Sequence, residues 1–201
     1  MDRNQIIRRV RIKLDEVAPF DGPEVVSNPL IESCLNEASD ALLLAAPTHI
    51  HPSPFDFSGN AVIPVDTTTA MIHLPDDYLR LVSVQLNKWR RAVTTAQVEG
   101  SNTHSKQHNP YARGGTWKPV VIQRFENSIR KHVLQFYSSY DGDFTIKHAL
   151  CLNRTLPENL PEIYIEPLSL MAGAMALDVM ADERAQILRA ELDQWIKLRI
   201  L

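Results

Sequence analysis

Apolar residues recur every three to four positions toward both ends of the chain and every second position in its middle. This pattern predicts helices on either side of a block of strands. In residues 2–17, Ile7, Val10, Leu14 and Val17 follow three-four-three spacing, with Arg3, Arg8, Arg9, Arg11 and Lys13 mostly on the other faces. An amphipathic helix capped by Asp2 or Asn4 follows, ended by Pro19 and the Phe20-Asp21-Gly22-Pro23 turn. A second helix is predicted to open at Asn28-Pro29, where the Asn side chain accepts from free N–H groups and proline suits the first helical position. Its buried stripe is read as Ile31, Cys34, Leu35, Ala38, Leu42 and Ala45, and Pro47 ends it.

After a loop at 47–60, strands are predicted at 61–65, 69–74, 82–86, 91–94, 119–125, 129–137 and 144–152. Pro75-Asp76-Asp77-Tyr78-Leu79 reads as a short helical turn, Asn87-Lys88-Trp89-Arg90 as a hairpin connection, and 94–118 as a long polar loop. A loop of that length inside a compact domain is either functional or ordered by a neighbour. The C-terminal third returns to helical spacing, with Leu168, Met171, Ala172, Met175, Ala176 and Val179 as one inward face. Asp182 caps a last helix carrying Leu188, Leu192 and Trp195. The expected fold is α+β in a single domain, 1–201. Its bundle of about four helices comes from 1–46 and 162–201, and a central β-sheet or hairpin excursion at 60–153 is inserted in it.

Hydrophobic residues make up 44% and charged residues 22% of the 201, which predicts a folded globular chain. The longest apolar stretches, 41–46 and 168–177, are too short for a membrane span. Met1-Asp2-Arg3-Asn4-Gln5 lacks the apolar core of a secretory signal, so a reducing cytoplasm is expected, with Cys34 and Cys151 as buried free thiols. The net charge of -3 hides strong segregation. Residues 18–79 carry nine acidic side chains and no Lys or Arg, whereas residues 80–131 carry ten basic and two acidic ones. Such blocks either compensate one another within the fold or form a head-to-tail surface between copies.

Reactive chemistry is sparse. No Walker or dinucleotide glycine pattern is present, and Arg113-Gly114-Gly115-Thr116 reads as a flexible turn. His49 and His51 lack identifiable further metal ligands, and His104 and His108 read as solvated histidines in a loop. Asp76-Asp77 and Asp141-Gly142-Asp143 fit helix-terminus and turn roles. No catalytic, cofactor-binding or metal residue is assigned, and no enzyme activity is expected. Trp89, Tyr111 and Trp117 interleave with the basic block, which keeps open a nucleic-acid-binding accessory protein as the alternative. A small metal-dependent hydrolase around His49 and His51 is a third reading. The terminal apolar residues Ile196, Leu198, Ile200 and Leu201 predict a docking segment, either on the chain's own bundle or in a partner's groove.

The order of elements is joined by four sequence features. They are Leu74-Pro75-Asp76-Asp77-Tyr78-Leu79-Arg80-Leu81-Val82-Ser83-Val84, Trp89-Arg90-Arg91-Ala92-Val93, Asn109-Pro110-Tyr111-Ala112-Arg113-Gly114 and Lys118-Pro119-Val120. Together they resemble the head-tail connector (adaptor or ring) proteins of tailed bacteriophages, particularly those of Bacteroidetes phages, crAss-like phages included. The resemblance implies a virion neck protein made in the host cytoplasm. It would form a homo-oligomeric ring, typically twelve-fold, beneath the portal protein, continue the DNA channel without sequence-specific binding, and attach other neck or tail proteins. On that reading Trp195, Leu198, Ile200 and Leu201 dock vertically on the portal or another ring, and Asn109, Pro110, Tyr111, Arg113 and Trp117 make the long loop's contacts. No cofactor and no membrane partner are implied.

Overall fold

The computed structural model describes residues 2–14, 26–47, 50–109, 111–137 and 143–200, the last two of these by their backbone alone. Among them are five α-helices: α1 (Arg3–Lys13), α2 (Asn28–Ala45), α3 (Asn102–Gln107), α4 (Ile165–Val179) and α5 (Arg184–Ile200). Eight strands accompany them: β1 (Phe55–Asp56), β2 (Val62–Pro64), β3 (Ala70–His73), β4 (Tyr78–Leu86), β5 (Gln97–Val98), β6 (Val121–Glu126), β7 (Lys131–Phe136) and β8 (Ile146–Asn153). The fold is mixed α+β. The described chain divides into two compact units, one of residues 1–52 with 154–201 and one of residues 53–153.

The first unit is helical. Asp2 caps α1 by accepting from the Asn4 N–H at 3.2 Å. The buried side of α1 is Ile6 and Val10, with Leu14 following, so the inward stripe is rotated by one residue from the predicted Ile7. Val17 and the 20–23 turn lie outside the described residues. Ser27, not Asn28, is the N-cap of α2, and its side chain makes no cap bond. The Asn28 carboxamide oxygen instead accepts from the Arg11 guanidinium at 2.7 Å. Ser39 and Leu43 join the predicted α2 stripe, while Ala45 is exposed.

Helix α4 packs against α1, α2 and α5. That position explains why burial runs around most of its circumference, through Leu168, Ser169, Leu170, Ala172, Gly173, Ala174, Ala176 and Leu177, where a single inward face was predicted. The small residues let neighbours approach closely: a Cβ at Gly173 would lie 3.0 Å from Leu188 Cδ1. Val179, predicted inward, is exposed at the end of α4. Asp182 caps α5 through the Arg184 N–H at 2.9 Å. Ala185, Leu188, Leu192 and Trp195 form the buried stripe of α5 at three-four-three spacing.

The second unit is built of two sheets, ordered β1-β8-β4 and β2-β3-β7-β6-β5, as the sheet alternative of the sequence reading has it. All pairs are antiparallel except β5 with β6. Leu81, Val84, Leu86, Ala149 and Cys151 from the first sheet share one apolar cluster with Ala70, Ile72, Val121, Leu134 and Phe136 from the second. Trp89 joins that cluster edge-on to Phe136, ring centroids 5.9 Å apart.

The expected helical turn at 75–79 is a tight turn closed by the Tyr78 N–H to Pro75 O at 3.1 Å, and β4 begins directly at Tyr78. The predicted 91–94 strand is reduced to a single antiparallel bridge, Val93 to Val84. The 94–118 segment, expected as a polar loop, carries β5 and α3.

Candidate functional site

The sequence-predicted contact residues of the second unit lie in the segment that follows α3. Ser101 Oγ accepts from the His104 N–H at 3.2 Å and starts α3. The Asn109 side chain then accepts from the Tyr111 N–H at 2.9 Å, and its carbonyl accepts from the Ala112 and Arg113 N–H groups. Gly114 O accepts from the Lys118 N–H at 3.1 Å, and Gly115 takes φ 56°. Thr116 O accepts from the Arg90 N–H at 3.0 Å. These bonds anchor the segment at several points, yet Tyr111 is 99% and Trp117 67% exposed. The Arg90 guanidinium lies over the Trp117 ring, 4.6 Å from its centroid. A planar cation stacked on an exposed indole is an adhesive surface for aromatic, apolar or anionic partners. Of the predicted loop contacts, Asn109, Tyr111 and Trp117 are exposed, Arg113 is half-buried, and Pro110 lies outside the described residues.

His104 is half-buried, while His108 is exposed, as a solvated histidine should be. Their rings are 5.1 Å apart, and both meet Tyr137 edge-on. The Gly100 N–H donates to His104 Nδ1 at 3.0 Å, so in the neutral ring Nε2 carries the hydrogen and donates to the Tyr137 hydroxyl at 3.1 Å. Burial pushes the Tyr137 phenol above its ordinary value, against a lowering contribution from Arg124.

A pair absent from the sequence reading sits on the first sheet, where Ser83 Oγ lies 2.7 Å from His148 Nε2. Asp56 is the nearby carboxylate, held below the ordinary range first by the backbone and side chain of Ser58 and least by the charge of His148. The Asp56 oxygen accepts from the Ser58 N–H at 2.8 Å. A nucleophile-base contact therefore exists, and among the described residues no third group is bonded to the imidazole to orient it. The partners are 65 residues apart and meet only through the β4–β8 register, so no local motif announces them.

In the helical unit, Trp195 is buried and faces Tyr164, ring centroids 6.5 Å apart. It belongs to the buried stripe of α5. Leu198 is 72% exposed and Ile196 half-buried. Leu201 and the Ile200 side chain lie outside the described residues.

His51 Nδ1 meets the Tyr164 hydroxyl at 3.4 Å, and His49 lies outside the described residues. Among the described residues, no group of three His, Cys, Asp or Glu side chains converges to hold a metal ion. Nor is any helix among them long and apolar enough to cross a membrane. Both cysteines are free and buried. No protein-family model matches the chain, and no curated protein matches it.

Proposed function

We propose that the chain is a non-enzymatic structural protein of a tailed-phage neck. It is a head-tail connector whose copies close a ring beneath the portal, continue the DNA channel and carry further neck or tail components. In this reading α1, α2, α4 and α5 act as one four-helix bundle, and the β region is its insertion. Assembly rests on apolar anchors for affinity and on charge complementarity for register.

The observation that supports it is the pairing of a multiply hydrogen-bonded segment with two solvent-facing aromatics, Tyr111 and Trp117. Aromatic residues are enriched at protein–protein interfaces, and a segment already held by its own hydrogen bonds loses little freedom when a partner covers it. The test is co-purification with the portal protein. A chain lacking residues 196–201 should keep its circular dichroism spectrum and lose the portal. Full retention of portal binding overturns the terminal assignment, and failure of the intact chain to join portal or self-assemble overturns the connector reading.

The Arg90–Trp117 stack also favours a second reading, a nucleic-acid accessory protein using the basic central segment. Titration of single-stranded DNA at two salt concentrations separates the two. Saturable binding with a steep salt slope supports the accessory role.

A further inference from the structure

Residues 78–125 contain a single carboxylate, Glu99, and it faces Arg124 at 4.0 Å. Within that stretch the fold brings two short runs together. The Arg90 N–H donates to Thr116 O at 3.0 Å, which sets Arg90 and Arg91 beside Trp117 and Lys118. All four of these residues are exposed. Arg90, Arg91 and Lys118 have no carboxylate partner among the described residues, whereas nearby Lys88 has Asp143 at 3.8 Å. An unopposed positive patch therefore surrounds an exposed indole.

The Arg90 guanidinium covers one face of the Trp117 ring, 4.6 Å from its centroid, and Trp117 is still 67% exposed, so the opposite face is open. Stacking uses the flat side of the guanidinium and leaves its N–H edge for an acceptor. The turn beneath is already closed by the Lys118 N–H on Gly114 O at 3.1 Å, so little order has to be gained when a ligand arrives.

A nucleotide carries a flat base and a phosphate in one repeating unit, which matches a flat open ring beside cations. An acidic peptide meets the cations but has no flat group at each step to lay on the indole, and a duplex keeps its bases inside the stack. We propose that Arg90, Arg91, Trp117 and Lys118 form a binding patch for single-stranded nucleic acid. One base lies on the open face of Trp117, as a third layer over Arg90, and Arg90, Arg91 and Lys118 hold the flanking phosphates. Every base has such a face, so binding tolerates any sequence. This inference rests on the nucleic-acid reading and gives it a site.

The test is titration of the full chain with a short labelled oligothymidylate across a series of salt concentrations. Anisotropy reads affinity, and tryptophan emission reads Trp117, because Trp89 and Trp195 are buried. Emission should fall as the strand binds. Phosphate contacts from these cations alone give a slope of about −2 in log affinity against log salt. Arg91→Gln with Lys118→Gln should flatten that slope to about −0.7. Trp117→Ala should keep the slope and bind at least about fivefold more weakly, while Trp117→Phe retains a stacking ring and most of the affinity. Arg130→Gln is the control, since this exposed cation lies at the far end of β6 from Lys118, about 20 Å along the strand, and should change neither quantity. Every substituted residue is exposed, so the circular dichroism spectrum should not change.

Patch variants that keep wild-type affinity and slope, or an equal flattening in Arg130→Gln, overturn the patch while the nucleic-acid reading stands. A chain that binds no strand even at low salt overturns both. Equal affinity for the matching duplex, with tryptophan emission unchanged, overturns stacking as the mode. Poly-glutamate that competes as strongly as oligothymidylate, with the same dependence on Trp117, overturns nucleic acid as the occupant and assigns the patch to an acidic protein partner.

Discussion

The Arg90 guanidinium stacks on the Trp117 indole at 4.6 Å from the ring centroid, while the Arg90 N–H donates to the carbonyl of neighbouring Thr116 at 3.0 Å. One residue thus holds the segment by its backbone and orients the exposed ring by its side chain. An exposed cation–π contact contributes about 0.5–1 kcal/mol. Trp117→Ala should therefore lower stability by no more than about 1 kcal/mol in a urea melt. The same variant should weaken capture of portal or of a second copy at least severalfold. Unchanged capture by both would remove Trp117 from the interface.

Gly114 is where the same segment tolerates least. A Cβ built there would sit 2.1 Å from Lys118 O, the backbone of the turn it closes. Gly114→Ala must push that backbone aside, at a cost of about 1–3 kcal/mol for an overpacked site. Trp117 fluorescence should shift with it, because the turn carries the ring. Gly59 is the control, since nothing lies within 4 Å of a Cβ there. Gly59→Ala should be neutral or stabilising by about 0.4–1 kcal/mol. Equal melting temperatures for the two variants would contradict the clash.

Cys151 links the β core to alkaline stability. Burial, aided by the charge of Asp77, pushes its thiol from an ordinary 9.0 up to about 12. The folded chain keeps this proton after the unfolded chain has lost it. Stability from this group is therefore complete below pH about 9 and declines as pH rises toward 12, by about 1.4 kcal/mol per pH unit for one proton. The difference between wild type and Cys151→Ala in urea melts isolates this group from tyrosines and lysines. Wild type should lose stability faster between those limits, and parallel curves would contradict the assignment. Native chain should also resist a thiol reagent at neutral pH and release two reactive thiols on unfolding, since Cys34 is buried as well.

The helical ends were legible because their signals are local. Asp2 and Asp182 accept from N–H groups two residues on, and three-four-three spacing marks Leu188, Leu192 and Trp195 as one face. What escaped depends on residues far apart in the chain. The central position of α4 comes from three helices packing on it, so its burial exceeds any single-stripe pattern. Ala45 and Val179 fit the helical period but fall at helix ends, where neighbours no longer cover them.

In the β region, Pro75 followed by two aspartates imitates a helix start. Pairing of Tyr78 with Asn153 instead draws the chain straight into β4. The composition of 94–118 is polar, yet α3 forms there, with Gln107 buried and His104 bonded to Tyr137. At the candidate site, Tyr111 and Trp117 stood out as aromatics in a polar run. The partnership of Trp117 with Arg90 required the fold of the segment.

The end of α4 offers the last prediction. Asp182 N–H donates to Leu177 O at 3.0 Å and Ala181 N–H to Asp178 O at 3.0 Å, the two bonds of a Schellman motif. The residue at its left-handed position is Ala181, with φ 55°. An L-residue with a Cβ pays about 1–2 kcal/mol there that glycine avoids. Part of that gain is offset by the greater freedom of glycine in the unfolded chain. Ala181→Gly should accordingly stabilise the helical unit by about 0.5–1 kcal/mol, seen as a higher urea midpoint of the far-ultraviolet signal. Ala181→Val, whose branched side chain fits the left-handed region worse, should shift that midpoint the other way. Because Asp182 begins the next helix from the same turn, hydrogen exchange at Ala185 and Gln186 should slow in the glycine variant and quicken in the valine one. Exchange that ignores both substitutions would mean that the α4–α5 corner is not held by this motif.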